Sequence, residues 1–252
     1  MGMKRDALIF AFALCRFPHC LQIEALQTTR AGSSTHWSME STGERASEGN
    51  RGTIILGSKS STRKMILEEL GFKPEVRVAD IDESAIGDRD SDPRELVLQL
   101  GLAKATALLP RLRIEATEAT VDSRLLLTGD QVVVHDGRIL EKPKTEDEVR
   151  RNILGYARLP CRTVGSVVLT DILTGRQVSD VDTAEIFFSE IPEHVIQELC
   201  REGLVMHCAG GLMVEHELVA PYVMKIDGTM DSVMGLSKSL VLKLLDRLGV
   251  GV

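Results

Sequence analysis

The first regular secondary-structure pattern in the chain is the stretch TIILGSKSSTRKMILEEL, residues 53–70. Thr53–Gly57 is a β-branched and apolar run that stops at a glycine, and hydroxyl side chains then lead into a helix pattern that closes at Gly71. A strand, a loop and a helix start in this order gather free N–H groups and a partial positive charge, as an anion site does. Taken alone, the stretch fits equally well a surface helix with a serine cap and two solvated cations, Arg63 and Lys64.

Strand and helix patterns continue from this stretch to the end of the chain without a long linker. We predict further strands at Val76–Val78, Leu125–Gly129, Val132–His135, Val164–Thr170, Gln177–Val181 and Ala184–Phe188. We predict further helices at Pro93–Leu109, Thr145–Leu154, Pro192–Cys200 and Leu236–Leu248. The first of these should end before Pro110, because proline donates no hydrogen bond and disrupts a helix interior. Mixed strands and helices of this kind predict a single α/β unit.

Residues 1–50 have a different composition from the rest of the chain. A basic start leads into the apolar run Ala7–Cys15, and a Ser/Thr/Gly-rich stretch follows as far as Asn50. Three interpretations stay open: a cleaved targeting segment, a disordered extension, or sequence upstream of a start at Met39. We favour an extension outside a domain that occupies residues 51–252. This interpretation predicts a cytoplasmic protein, or an organellar one if residues 1–38 are a targeting segment.

Composition and charge exclude several classes of protein. The chain has 252 residues, 43% of them hydrophobic, and a formal net charge of −7. That size and apolar content support a real core, and the acidic balance argues against binding to a nucleic acid polymer. No run of ~20 apolar residues is present, so we expect no membrane span. Five cysteines without a CxxC pair argue against a disulfide scaffold or a zinc ribbon and favour a reducing compartment.

Acidic and basic side chains near predicted strand ends are the candidates for chemistry. Asp130 follows a buried strand, where α/β folds place their ligands, and the Asp82-Glu83 pair follows the second strand. Two acidic centres facing a phosphate site suit Mg²⁺, which prefers oxygen ligands. Lys104 and Lys142 are candidate phosphate-binding cations. An aspartate in an ordinary turn and two solvated lysines remain the alternatives.

The order of seven short motifs in this chain resembles the order found in one protein family. The motifs are Ser58-x-Ser60-x-x-Arg63, Asp82-Glu83, Leu102-Ala103-Lys104-Ala105, Gly129-Asp130-Gln131, Lys142-Pro143, Ala209-Gly210-Gly211 and Val233-Met234-Gly235-Leu236. Each motif is weak alone, whereas the order and spacing together resemble the Maf family of nucleoside triphosphate pyrophosphatases over about residues 53–248. The resemblance implies an α/β fold with an elongated mixed β-sheet flanked by helices, two lobes around a central cleft, and often a homodimer. It also implies metal-dependent cleavage between the α- and β-phosphates.

The resemblance also assigns roles to individual residues. Asp130 matches the family's proton acceptor, and Glu83 matches the acidic partner that shares a metal site with it. The metal would be Mg²⁺ or Mn²⁺. The residues that match the family's phosphate-binding set are Ser58, Arg63, Lys104 and Lys142. Ser60-Ser61 and Gly235-Leu236-Ser237 depart from the family's usual serine-proline and Gly-Leu-Pro steps, and neither change removes a reacting group.

Three further positions correspond to those associated with base selection in the family, and this chain has Thr62, Gln131 and Glu215 there. Gln131 and Glu215 resemble the branch that acts on 7-methyl-GTP. A carboxylate suits guanine, because it accepts hydrogen bonds from the N–H groups of that base. The alternatives are a dTTP/UTP pyrophosphatase and a non-catalytic nucleotide-sensing regulator that uses the same cleft.

A chain that begins at Met39 tests the assignment of the N-terminal residues. Because the matched region begins near Thr53, this shorter chain should have the thermal midpoint and the activity of the full chain, measured by circular dichroism and by nucleotide turnover. A large drop in the midpoint would contradict the assignment and indicate that residues 1–38 pack on the domain.

Overall fold

A computed structural model describes residues 51–118 and 125–250. The strands are β1 Thr53–Leu56, β2 Lys73–Val76, β3 Leu125–Thr128, β4 Gln131–His135, β5 Arg138–Leu140, β6 Cys161–Asp171, β7 Gln177–Phe188 and β8 Val223–Asp227. The helices are α1 Ser61–Glu69, α2 Pro93–Glu118, α3 Glu146–Tyr156, α4 Glu193–Glu202, α5 Met230–Val233 and α6 Lys238–Leu248. Short 3₁₀ turns lie at Glu83–Ala85, Leu204–His207, Ala209–Gly211 and Ala220–Tyr222. The predicted N-terminal extension and Met39 lie outside the described residues.

The eight strands form one mixed sheet, as predicted. β1 pairs in parallel with β2 and β3, whereas the remaining pairs are antiparallel. β7 covers one edge of the long strand β6 from Cys161 to Thr170. β3 and β4 therefore lie end to end along the other edge of β6, β3 against Val168–Asp171 and β4 against Arg162–Gly165.

The line of β3 and β4 is interrupted at Gly129-Asp130. Ser166 of β6 bridges the gap: its N–H donates to Asp130 O at 2.8 Å, and its hydroxyl oxygen accepts from Asp130 N at 3.1 Å. A Cβ atom on Gly129 would lie 2.1 Å from Ser166 O, so only glycine fits at this position. The interruption places Asp130 at the end of a buried strand, as the sequence predicts.

Strand residues that point to opposite faces of the sheet enter different parts of the core. In β1, Ile54 and Leu56 pack in a cluster with residues of α1 and α6, whereas Ile55 packs with residues of α2. Leu125 and Leu127 of β3 likewise join the first cluster. Burial on both faces explains why these strands are continuous apolar runs rather than alternating ones. A third cluster joins α3 and α4 to β7 at the other end of the sheet.

The prediction that the helix beginning at Pro93 ends before Pro110 was wrong, since α2 continues to Glu118. Contacts beyond the proline keep the chain helical. Leu112 is buried in the core, and Arg113 Nε donates to Ile172 O at 3.0 Å. Within the described ranges, no helix combines the length and apolar character that a membrane span requires.

Three other predictions concern the ends of elements and the turn between two strands. The second strand was predicted at Val76–Val78, but it covers Lys73–Val76, where its backbone pairs with β1. The hairpin turn at Asp136-Gly137 is confirmed, because both residues have positive φ, 50° and 71°. The helix start at Thr145 is also confirmed: the Thr145 hydroxyl oxygen accepts from Glu148 N at 3.2 Å.

Candidate active site

The start of α1 forms a cluster of hydroxyl and amide groups. Ser60 is the N-cap, and its Oγ accepts from Arg63 N at 3.2 Å. Ser58 Oγ accepts from Ser60 N at 3.2 Å, which fixes the loop after β1. In the described part of the chain, the amides of Ser61 and Thr62 have no hydrogen-bond partner. Together with the helix dipole, these free donors make the loop suitable for an anion.

Arg63 is buried beside this loop, with 8% of its surface exposed. Its Nε donates to Gly235 O at 2.9 Å, and its Nη1 donates to Gly129 O at 3.1 Å and to Ser58 Oγ at 3.3 Å. Burial lowers the pKa of Arg63, and the nearby Asp130 and Glu83 carboxylates oppose that shift. The alternative of a solvated cation is therefore wrong for Arg63.

Lys104 joins the two candidate carboxylates. Its Nζ lies 2.9 Å from Asp130 Oδ1 and 3.1 Å from Glu83 Oε1, and the residue is 7% exposed. The alternative of a solvated lysine is therefore wrong for Lys104. Asp82 has a different role, since its Oδ1 accepts from Ser84 N and Ser84 Oγ at 3.1 and 2.6 Å. These hydrogen bonds lower the pKa of Asp82 and make it the cap of the turn that positions Glu83.

The donor set fits a hard divalent cation rather than a zinc ion. Across residues 51–118 and 125–250, no group of three or more His, Cys, Asp or Glu side chains converges as a metal site. Glu83 and Asp130 both contact the Lys104 ammonium, at 3.1 and 2.9 Å, so two carboxylates face one position in the site. Mg²⁺ usually binds through one or two carboxylates and substrate phosphates, whereas structural zinc sites need four ligands.

Lys142 and Glu215 lie at a second group of residues, around the Cys208 thiol. Burial, with a smaller contribution from Glu215, raises the pKa of Cys208 to about 11, and Lys142 opposes the shift. Both charged side chains therefore lie near this thiol. Glu215 is exposed, yet the surrounding protein raises its pKa by desolvation. The Glu215 carboxylate is thus exposed to water and partly desolvated by nearby protein atoms. Such a position is suited to the wall of a cleft.

The Ala209–Gly211 turn beside these residues is held by three groups. Gly210 N donates to Glu141 O at 2.8 Å, which joins the turn to the Lys142-Pro143 segment. Gly210 O accepts from Tyr156 Oη at 2.7 Å and from Asn152 Nδ2 at 3.3 Å. A Cβ atom on Gly210 would lie 2.4 Å from Tyr156 Oη and 3.1 Å from Val133 Cβ. Glycine is therefore required here for the close approach of the turn to β4 and α3.

The other two base-selection candidates lie near Arg63. Gln131 Nε2 donates to Ser232 O at 2.9 Å and to Val233 O at 3.3 Å, so backbone before Gly235 anchors this side chain. Thr62 is partly exposed in the first turn of α1, directly before Arg63.

Sequence reasoning missed two residues that hold the site together. Arg89 Nη2 donates to Glu83 O at 2.8 Å and pairs with Glu141 Oε1 at 3.2 Å, so it connects the Glu83 turn to the segment that carries Lys142. Arg89 lies in a charged loop and has no distinguishing pattern around it. Ser166 lies in a mostly buried strand, but Thr163 and Thr170 of the same strand are buried hydroxyl residues as well, so the sequence does not single it out.

Comparison with known proteins finds relatives over the same part of the chain. A family profile described as Maf-like protein matches residues 53–248. The "7-methyl-GTP pyrophosphatase" of Dictyostelium discoideum is 40% identical over 194 residues, which is 77% of this chain and 96% of that protein. The "Nucleoside triphosphate pyrophosphatase" of Salinispora tropica is 30% identical over 79% of this chain and 85% of its own length. The "dTTP/UTP pyrophosphatase" of Clostridium perfringens is 28% identical over 79% of this chain and 98% of its own length.

Arg63→Met should lower the free energy of unfolding by roughly 2–4 kcal/mol, because it leaves two buried carbonyl oxygens, of Gly129 and Gly235, without their donor. Urea denaturation measures this difference. Lys64→Met is the matched control, since Lys64 is exposed and has a long 3.7 Å contact with Glu68. The control should lose less than about 0.5 kcal/mol. Equal losses in the two variants would contradict the anchoring role of Arg63.

Proposed function

This chain belongs to the Maf-like protein family, and on that premise we propose that it is a nucleoside triphosphate pyrophosphatase. The reaction cleaves the triphosphate between the α- and β-phosphates and releases a nucleoside monophosphate and pyrophosphate. The single observation that carries the proposal is Lys104, which bridges Asp130 and Glu83 at 2.9 and 3.1 Å beside the anion-suited start of α1. The names of the relatives support the same activity.

The phosphates would bind at the loop after β1. The Ser58 hydroxyl and the free amides of Ser61 and Thr62 supply neutral donors to phosphate oxygens. Arg63 supplies a positive charge that no contacting carboxylate neutralises, because its hydrogen-bond partners are two carbonyls and a hydroxyl. Lys142 is exposed at the second group of residues and supplies another cation for the charge that spreads over the phosphoryl oxygens.

Glu83 and Asp130 are the residues that would hold a divalent cation, Mg²⁺ or Mn²⁺. When bound, such a cation supplies charge neutralisation for the phosphate oxygens. Oxygen ligands from two carboxylates and from the substrate itself agree with the preferences of both ions. The buried Lys104 holds the two carboxylates in position before the substrate arrives.

Asp130 would orient and deprotonate the attacking water. Lys104 contacts Oδ1 of this carboxylate, and the other oxygen can accept the proton of the water. The water oxygen forms a new bond to phosphorus, the bridging P–O bond between the α- and β-phosphates breaks, and the electron pair leaves with the departing phosphate group. Ser166 fixes the backbone of Asp130 on both sides, so the carboxylate is positioned by the sheet itself.

We propose 7-methyl-GTP as the preferred substrate. Glu215 can accept hydrogen bonds from the ring and exocyclic N–H groups of guanine, whereas a uracil or thymine offers one N–H between two carbonyls. Gln131 and Thr62 complete the selection set. The 40% identity to the Dictyostelium discoideum protein, against 28% to the Clostridium perfringens one, supports the same choice. The activity would remove a modified nucleotide from the cellular pool.

A pyrophosphate-release screen tests the proposal. The full chain is incubated with 7-methyl-GTP, GTP, dTTP and UTP, each with Mg²⁺, with Mn²⁺ and with a chelator. We expect turnover with either metal, no turnover with the chelator, and the highest kcat/KM on 7-methyl-GTP. Tight nucleotide binding without turnover on any substrate would instead indicate a nucleotide-sensing protein.

Asp130→Asn should lower kcat by roughly 10²–10⁴-fold, because the amide cannot accept a proton from water. The side chain keeps its size, so nucleotide binding, measured by calorimetry, should persist. Asp136→Asn is the matched control: it removes the same charge at a turn whose positive φ asparagine adopts readily. A near-normal kcat in Asp130→Asn would remove Asp130 from the mechanism.

Glu215→Gln should narrow the preference for 7-methyl-GTP over dTTP or UTP by roughly tenfold to a hundredfold in kcat/KM. The amide no longer repels pyrimidine carbonyls and no longer offers guanine a charged acceptor. Glu217→Gln removes an exposed carboxylate two residues away and should leave the ratio unchanged. If Glu215→Gln keeps the wild-type ratio, Glu215 has no part in base selection.

A further inference from the structure

A second cavity, apart from the Asp130 site, lies between the β4–β5 hairpin and α3. Its volume is about 430 Å³, within the range of ~300–1,000 Å³ typical of small-molecule sites. Three arginines line it: Arg138 from β5, Arg151 from α3, and Arg158 from the turn that follows α3. We propose that this cavity binds a small phosphorylated anion.

The charges of the three arginines are not directly paired. Among the described residues, none of Arg138, Arg151 and Arg158 has a side-chain ion pair or hydrogen bond. The neighbouring Arg150 behaves differently, since its Nη2 pairs with Glu193 Oε2 at 3.0 Å. All three side chains are exposed, so water screens much of their mutual repulsion, and an anion between them would be attracted to three unpaired guanidinium groups.

A histidine belongs to the wall of the cavity. His135 lines the cavity, and its Nε2 is buried without a hydrogen-bond partner in the described part of the chain. Its ring packs edge-on against Tyr156, with 5.2 Å between ring centroids. Because this nitrogen is inaccessible to solvent, a ligand in the cavity does not reach it, and the three arginines carry the proposal.

The charges around the cavity indicate which anion fits. Two carboxylates, Asp136 and Glu148, also line it, and Glu148 Oε2 already accepts from Lys144 N at 2.9 Å. A singly charged ligand gains little from this mixture, whereas a ligand with two or more negative charges engages several arginines at once. Guanidinium groups bind phosphate oxygens in bidentate pairs, so the chemistry favours a phosphate ester or a diphosphate.

A side chain of the cavity wall contacts the candidate active site. Asn152 lines the cavity, and its Nδ2 donates to Gly210 O in the Ala209–Gly211 turn. The inference nevertheless stands apart from the proposed catalytic activity, because the arginines belong to neither the Asp130 site nor the Cys208 group.

Inorganic pyrophosphate without metal is the probe for this cavity. It is titrated into the ¹⁵N-labelled full chain while amide shifts are followed by nuclear magnetic resonance. Gly137 and Gly155 report on the cavity, and Gly57 and Gly129 report on the active site. We expect the amide signals of both pairs of glycines to shift in the wild type when pyrophosphate is added. In the double variant Arg151→Ala/Arg158→Ala, the cavity pair should give a Kd at least tenfold weaker, and the active-site pair should keep its Kd.

Arg150→Ala is the matched control, because it removes one adjacent arginine from the same helix without touching the cavity. It should leave both dissociation constants unchanged. If the double variant fails to fold, Arg138→Gln on the hairpin provides the same comparison. Cavity amides that do not shift in the wild type, or a cavity Kd that is unchanged in the variants, would overturn the proposal. If the wild type shows no nucleotide turnover, the two dissociation constants can still be measured. The failure of the proposed activity and the failure of the proposed cavity site are therefore distinguishable.

Discussion

The contact between Ser166 and the interruption at Gly129-Asp130 is the constraint on which the candidate site depends. Ser166 uses its N–H and its hydroxyl on the two sides of Asp130, and its own carbonyl leaves no room for a side chain at Gly129. The strand line along β6 therefore breaks at this point without separating from the sheet. Because the break is fixed, the Gly129 carbonyl is held where it accepts from Arg63, and the Asp130 carboxylate where it meets Lys104.

The two buried cations of the site have different electrostatic roles. Lys104 is paired with two carboxylates, so it mainly holds Glu83 and Asp130 together in one place. Arg63 is held by carbonyl and hydroxyl oxygens, so its charge stays available to a bound anion. Burying a cation costs free energy unless hydrogen bonds satisfy it, and both side chains meet that condition before any ligand binds. The positions of both cations are therefore fixed within the protein itself.

Side chains with no proposed part in binding or catalysis connect the candidate residues around Asp130 to those around Cys208. Arg89 ties the Glu83 turn to the segment of Glu141 and Lys142, and Asn152 and Tyr156 tie the Ala209–Gly211 turn to α3. These contacts fix the position of the Glu83 turn relative to the Ala209–Gly211 turn. Both a nucleotide's phosphates and its base have to be held at once, so such connections matter for selectivity as much as the contacting residues do.

The sequence by itself determined the strands that are apolar on both faces, the cap at Thr145, the turn at Asp136-Gly137, and the order of motifs that resembles the family. These features depend on neighbouring residues, whose pattern is visible along the chain. Only the tertiary structure decided that Lys104 is buried between two carboxylates, that α2 continues past Pro110, and that Arg89 joins two loops. Each of these outcomes depends on partners that are distant in sequence, such as Asp130 for Lys104 and Ile172 for Arg113. The free energy of such contacts overrides local propensity, and local sequence does not record where the partner lies.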